Sequence, residues 1–331
     1  MKVLVTGGGG FLGSAIVRQL RARGDAVRSF SRSEHPHLAA LGTEQARGDI
    51  ADAEAVERAA EGCDAVIHVA AKAGIWGPAA EYEAANVHGT MNVIAACRRH
   101  RIRRLVYTST PSVVAAGHDI EGGNESLPYP DRFLADYPRT KAIAEGGVRC
   151  ANTPELATVA LRPHLIWGPE DIHLIPRLLK RARAGKLRIV GSGRNRVDVT
   201  YVDNAADAHL AALDRLTPGS PIAGRAYFIS QGDPVELWPF INRILDLVGL
   251  PPVSRRVPFR VAYGVGSVLE TWYRWLGLRG EPAMTRFVAS QLAHSHWFDI
   301  SAARRDLGYA PQISTEEGLR RLARWLETKN Q

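Results

Sequence analysis

Only three cysteines, Cys63, Cys97 and Cys150, occur in 331 residues, and their wide spacing fits neither a disulfide framework nor a zinc site. Reduced thiols in a cytoplasmic protein are expected. A charged leader followed by an apolar run is also missing: the chain starts with the strand-like "MKVLVTG", which implies no secretion signal. Long hydrophobic runs are scarce. The most apolar stretch, residues 261–278, is broken by Glu270 and Arg274 and does not read as a membrane span. Its amphipathic part, "SVLETWYRWLGL", offers a face to a membrane, a partner protein or the chain's own core, and intramolecular packing is the commonest use of such a face. No repeat or low-complexity segment interrupts the pattern.

A net charge of +8 points to acidic partners, such as a phosphorylated cofactor or an anionic substrate. The basic segment "RRHRIRR" at 98–104 lacks the aromatic interleaving of a single-strand binder, so no nucleic-acid partner is expected. The 11 histidines form no ligand set, since His294 and His296 are two apart and His35 and His37 flank a proline. No metal site is expected.

With 45% hydrophobic residues, the chain has material for one large core or two unequal domains. Short β-branched runs alternate with helical patterns: "KVLVT" then 11–23, "AVRSF", "DAVIHVA" then 79–100, "RLVYTS", then 137–150 and "LATVALR". Strands separated by helices predict an α/β fold with a Rossmann-type, doubly wound parallel sheet. After Arg162 the pattern loosens, with a helix expected near 172–184 and a returning sheet strand at 226–230. This divides the chain into a dinucleotide-binding domain, 1–162 with returning segments at about 191–231, and a smaller, mainly helical substrate-binding region, 163–190 and 232–331. Five of the seven tryptophans, at 238, 272, 275, 297 and 325, lie in that last segment, which suits either a greasy substrate or a plain core.

The first strand runs into "GGGGFLG" and then a helix. Gly7, Gly10 and Gly13 have the GxxGxxG spacing that lets the backbone approach a pyrophosphate at a helix amino terminus, with Phe11 and Leu12 in the same turn. No Gly-Lys-Ser/Thr follows, so a P-loop is disfavoured. At the end of the second strand, where an acidic residue selects NAD, stand Ser31 and Arg32. A guanidinium there suits a 2′-phosphate and predicts NADP(H). Asp49 and Ile50 follow the third strand and are placed to flank the adenine, although Asp49 is equally suited to opening the next helix, for which Asp52 is the better cap.

The strand "RLVYTS" ends in hydroxyl residues, so Thr110 or Ser109 is placed to bond a substrate carbonyl at the carboxyl edge of the sheet. In "YPRTKAIAE", Tyr137 and Lys141 share one helix face by their i, i+4 spacing, and a phenol beside an ammonium is a candidate acid. With these motifs in order, the sequence resembles the extended short-chain dehydrogenase/reductase family over nearly its whole length. "NVHGTMNV" at 86–93, "LRPHLIWGP" at 161–169 and "VTYVDNAADAH" at 199–209 add to that resemblance.

The resemblance implies that Tyr137 gives a proton to a carbonyl oxygen as hydride arrives from the nicotinamide. It also implies that Lys141 lowers the phenol pKa and bonds the nicotinamide ribose, and that Thr110, rather than Ser109, orients the substrate oxygen. Thr140 stands where the family usually has serine, and Pro138 follows the tyrosine in a turn that tolerates proline. Within the family, "YTSTPSVV" and "HWFDISAARRDLGYAP" look most like the 2-alkyl-3-oxoalkanoate reductases of bacterial long-chain olefin biosynthesis. The 3β-hydroxysteroid and sterol-carboxylate dehydrogenases are similar but more distant. That closer resemblance implies NADPH-dependent reduction of a long-chain β-keto acid, with other olefin-biosynthesis enzymes and a second copy of the chain as partners. Arg162 and His164 are candidates for the substrate carboxylate, Arg162 equally for a structural role. A non-catalytic cofactor-binding module is the alternative of another class.

Overall fold

Val3 and Val5 pack into one hydrophobic cluster while Leu4, between them, packs into another. A strand that buries both faces in this way reads as a continuous apolar run and belongs in a parallel sheet covered on both sides. The computed structural model, which describes residues 1–278 and 280–329, has such a sheet. Its seven strands are β1 (Lys2–Thr6), β2 (Ala26–Ser31), β3 (Glu44–Arg47), β4 (Ala65–His68), β5 (Arg104–Thr108), β6 (Ala157–Pro163) and β7 (Ala226–Ile229). Their order is β7-β6-β5-β4-β1-β2-β3, and every pair is parallel. The winding reverses between β1 and β4, which opens a crevice at the carboxyl ends of those strands.

Helices α1 (Phe11–Ala22), α2 (Ala53–Ala60), α3 (Gly89–Arg99), α4 (Asp136–Cys150), α5 (Leu174–Arg183) and α6 (Val202–Arg215) follow in chain order. One face of the sheet is covered by α1 and the alanine-rich α6, whose small side chains Ala205, Ala208 and Ala212 are fully buried. The other face is covered by α2, α3 and α4. Asp52 caps α2 through Oδ1, which accepts from the amides of Glu54 and Ala55.

The helix expected over 79–100 is interrupted. Ala79–Tyr82 leads into a π-helical turn, Glu83–His88, before α3 begins. The π-turn inserts an extra residue per turn and swings Asn86 inward, where it is 1% exposed. The later residues form α7 (Leu237–Asp246), α8 (Phe259–Trp275), α9 (Arg286–Ala293), α10 (Ser301–Leu307) and α11 (Thr315–Lys329). A second sheet, which the sequence pattern does not announce, joins the short strands Ile120–Gly123, His296–Phe298, Arg196–Val197 and Val235–Glu236. Strands of two to four residues carry too little periodicity to be read in advance. Among the described residues, no helix is long and apolar enough to cross a membrane.

Candidate active site

The glycine loop turns directly out of β1. Gly7 has φ +71°, and its amide donates to Phe30 O at 2.7 Å. A Cβ on Gly13 would lie 2.1 Å from Gly7 O, so only glycine fits where α1 crosses the loop. Gly10 is the N-cap of α1 and supplies no side chain, and no acid stands in the first turn. The positive end of α1 is therefore left open, a cradle that fits the pyrophosphate of a dinucleotide. Phe11 and Leu12 begin the helix.

Ser31, at the end of β2, accepts from the Gly9 amide at 3.4 Å. Arg32 is exposed, and its carbonyl accepts from Arg47 Nε at 3.1 Å. Two arginines thus stand at the ends of β2 and β3, and sequence reasoning had named only the first. Ile50 is buried against Gly89, where a Cβ would come within 2.8 Å of it. Asp49 is exposed, and its Oδ1 accepts from the Ala51 amide at 2.9 Å, a turn-forming role. His35 and His37 were not assigned to this site. The His35 ring covers Gly9, and His37 Nε2 lies 3.0 Å from Ser14 Oγ on α1.

Thr108, Ser109 and Thr110 sit at the carboxyl end of β5, with α4 running alongside. Lys141, 2% exposed, donates from Nζ to Thr108 O at 2.6 Å and lies 4.2 Å above the Tyr107 ring. Burial lowers its pKa from 10.5 to about 7, opposed by the charge of Glu145 one turn further on. Ser109 Oγ donates to Glu145 Oε2 at 2.5 Å and is thereby committed. Thr110 is held only by its own turn, through Ser112, and neighbours the Tyr137 phenol.

The expected depression of the Tyr137 pKa is absent from this arrangement. Burial raises the phenol above its ordinary value, and the group that opposes the rise is Thr110, by hydrogen bonding. Lys141 directs its Nζ at Thr108 O and the Tyr107 ring.

Arg162 is not free for a substrate carboxylate. It bonds Glu145 through Nη2 at 2.5 Å and Nε at 3.0 Å, and both side chains are buried. His164 Nε2 lies 2.9 Å from His296 Nδ1, and burial holds its pKa well below the usual histidine range.

Sequence reasoning assigned no role to Asn86 or His68. Asn86 Nδ2 donates to Thr140 Oγ1 at 3.0 Å, and its Oδ1 accepts from the Lys72 amide at 2.7 Å. Thr140 Oγ1 in turn donates to Asp136 O at 2.8 Å. His68 bridges Thr6 and Thr90, at 2.7 and 3.0 Å, and Thr90 donates to Asn86 O at 2.6 Å. Since Thr90 spends its proton on Asn86 O, His68 Nε2 donates to Thr90 and Nδ1 accepts from Thr6. That neutral ring agrees with a pKa lowered by burial to about 3. The chain of bonds fixes the π-turn to the glycine-loop end of β1. "NVHGTMNV" was the only sequence signal for it.

Residues 4–259 match the model of the 3-beta hydroxysteroid dehydrogenase/isomerase family. The chain is 56% identical over 97% of its length to the 2-alkyl-3-oxoalkanoate reductase of Stenotrophomonas maltophilia, covering 98% of that protein. It is 53% identical over 96% of its length to the 2-alkyl-3-oxoalkanoate reductase of Shewanella oneidensis, covering 84% of that protein. The crystal structure of gox2253 superposes with a TM-score of 0.80 at 26% identity, over 99% of this chain and 98% of that one.

Proposed function

The chain belongs to the 3-beta hydroxysteroid dehydrogenase/isomerase family, and on that premise we propose that it reduces a 2-alkyl-3-oxoalkanoate to the 2-alkyl-3-hydroxyalkanoate with NADPH. It is an NAD(P)-dependent oxidoreductase with an extended short-chain dehydrogenase fold. The observation that carries the substrate reading is the 56% identity, over nearly the whole chain, to a reductase of that name. Arg32 and Arg47, at the sheet edge where a 2′-phosphate would lie, support NADPH over NADH.

The bound nicotinamide supplies the hydride. Thr110 holds the 3-oxo oxygen, and Tyr137 donates the proton that turns it into the hydroxyl. A phenol raised by burial stays protonated at neutral pH and is suited to donating. Lys141, bonded to Thr108 O, stands at the end of β5 and would bond a ribose hydroxyl of the cofactor. Long-chain olefin biosynthesis is the setting of this reading, and contacts with the other enzymes of that route and a homodimer belong to it.

The test is the reverse reaction. Purified protein is given a synthetic 2-alkyl-3-hydroxyalkanoate with NADP+ or NAD+, and nicotinamide reduction is followed. Turnover that favours NADP+ is the expected result. Turnover of a 3β-hydroxysteroid but not of the hydroxy acid would move the substrate to the sterol branch. Tight cofactor binding without turnover of either would mark a binding module.

A further inference from the structure

Two histidines with no part in the proton transfer sit over the glycine loop. His35 and His37 belong to the segment that follows β2, where a short helical turn, Pro36–Ala40, carries His37. Gln45 on β3 fixes the start of that segment: the His35 amide donates to Gln45 Oε1 at 2.8 Å, and Gln45 Nε2 donates back to His35 O at 3.2 Å. The His35 ring is thereby laid against Gly9, where an added Cβ would come within 2.0 Å of its Cδ2 and Nε2. Glycine at position 9 makes room for the ring.

His37 fastens the segment to α1. Ser14 Oγ donates to Gly8 O at 3.2 Å, so its proton is spent, and the 3.0 Å contact with His37 Nε2 is completed by a proton on the imidazole. The His35 ring has no such commitment. Among the described residues none bonds its nitrogens, and its ring meets that of His37 edge-on with centroids 5.6 Å apart.

The charged groups around His35 are mostly basic. They are His37 on its own segment, Arg32 at the end of β2, Arg47 at the end of β3, and Arg21 of α1, whose Nε donates to Leu41 O at 2.9 Å. Glu44 of β3 is spent on Lys2 and Arg28, the glycine loop carries no charge, and Glu34, next in the chain, is exposed. Burial and the charge of His37 hold His35 below the usual histidine range, so in the free protein its ring is mostly neutral near pH 7. The surroundings lack an anion.

On the reading that the cofactor is NADPH, we propose that His35 is a ligand of the 2′-phosphate alongside Arg32, and that it takes up one proton from solvent as the phosphate arrives. The Gly9 amide donates to Ser31 Oγ at 3.4 Å, which brings the loop, and the ring upon it, beside the end of β2 where Arg32 follows Ser31. A phosphate there supplies the missing negative charge and favours the imidazolium. NADH brings no phosphate to that edge and recruits no proton. Preference for NADPH therefore rises as pH falls through the histidine range, by at most about tenfold per unit for one proton. Toward about pH 8 the arginines alone carry it.

Fluorescence titration of NADPH and NADH at about pH 6 and about pH 8, on wild type, His35→Gln and His35→Lys, reads this without any substrate and so independently of the reductase assay. Near pH 6 the wild-type preference for NADPH is expected to exceed that of His35→Gln roughly tenfold, and near pH 8 the two should converge. The 2′-phosphate itself gains a proton at about pH 6, which acts on both proteins alike and cancels in the comparison. His35→Lys should keep the preference without the convergence, because its charge persists across the range. Equal preference in wild type and His35→Gln at both pH values would overturn the proposal and leave the NADPH reading standing. Tighter NADPH binding by His35→Gln would do the same, by showing that the ring obstructs the site. A wild type that binds NADH as tightly as NADPH at both pH values would overturn the proposal through the cofactor reading on which it rests.

Discussion

Glu145 and Arg162 form a buried ion pair two helical turns beyond Tyr137, with Arg162 Nη2 2.5 Å from Glu145 Oε1. Glu145 also accepts from Ser109 at 2.5 Å and from Tyr129 at 2.7 Å. One carboxylate therefore ties α4 to the ends of β5 and β6, and so fixes where Tyr137 and Lys141 stand relative to Thr110. Removing one partner of a buried pair leaves an uncompensated charge, which costs about 3–5 kcal/mol. Glu145→Gln is expected to lower the unfolding free energy by about that amount, read from urea titration. A loss below about 1 kcal/mol, the scale of an exposed pair, would show that water reaches Arg162.

Tyr137→Phe removes the hydroxyl and little else. The phenol oxygen makes no bond that supports the fold beyond its contact with Thr110. NADPH affinity is expected to stay within about twofold, while kcat falls by the roughly 10²- to 10⁴-fold typical of a lost general acid. Unchanged turnover, measured by nicotinamide absorbance, would remove Tyr137 from the proton transfer.

The sheet was legible in the sequence because strands with both faces buried have a distinctive composition. β1 alternates Val3, Leu4 and Val5 between two cores, and the run shows no polar residue until Thr6. The glycine loop was legible for a similar reason, since nothing larger than glycine fits at Gly13. Partnerships made across sequence distance were hidden. Nothing in "LRPHLIWGP" tells that Arg162 is spent on Glu145, or that His164 bonds a histidine 132 positions later. The aromatic second half divides in a way composition cannot reveal: Trp238 is buried while Trp272 and Trp275 stand in solvent.

Lys141 gives a pH dependence whose sign follows from burial. Its folded pKa is about 7, against 10.5 for an ordinary lysine. Below about 7 both states hold the proton, and the folded chain carries the cost of a buried ammonium. Between those values the unfolded chain keeps a proton that the folded chain has released, so unfolding free energy rises with pH, by at most about 1.4 kcal/mol per unit. Lys141→Met lacks this term. The stability of wild type relative to Lys141→Met should therefore increase from about pH 7 to about pH 9. A constant gap, from paired urea titrations, would mean that Lys141 keeps its proton in the folded protein.

The proposed preference for NADPH rests on the two arginines at the ends of β2 and β3. Arg32 is exposed and free to reach a 2′-phosphate, and Arg47 Nε holds the Arg32 carbonyl, so the second arginine orders the turn that presents the first. Charge-assisted bonds to a phosphate are worth about 1.5–3 kcal/mol each. Arg32→Ala is accordingly expected to weaken NADPH at least about tenfold, measured by fluorescence titration, and to leave NADH nearly unchanged, because NADH has no phosphate at that position. Arg47→Ala should weaken NADPH by a smaller factor, and the double variant should bind the two cofactors about equally. If Arg32→Ala weakened both cofactors alike, Arg32 would be supporting the adenine-side loop without reading the phosphate.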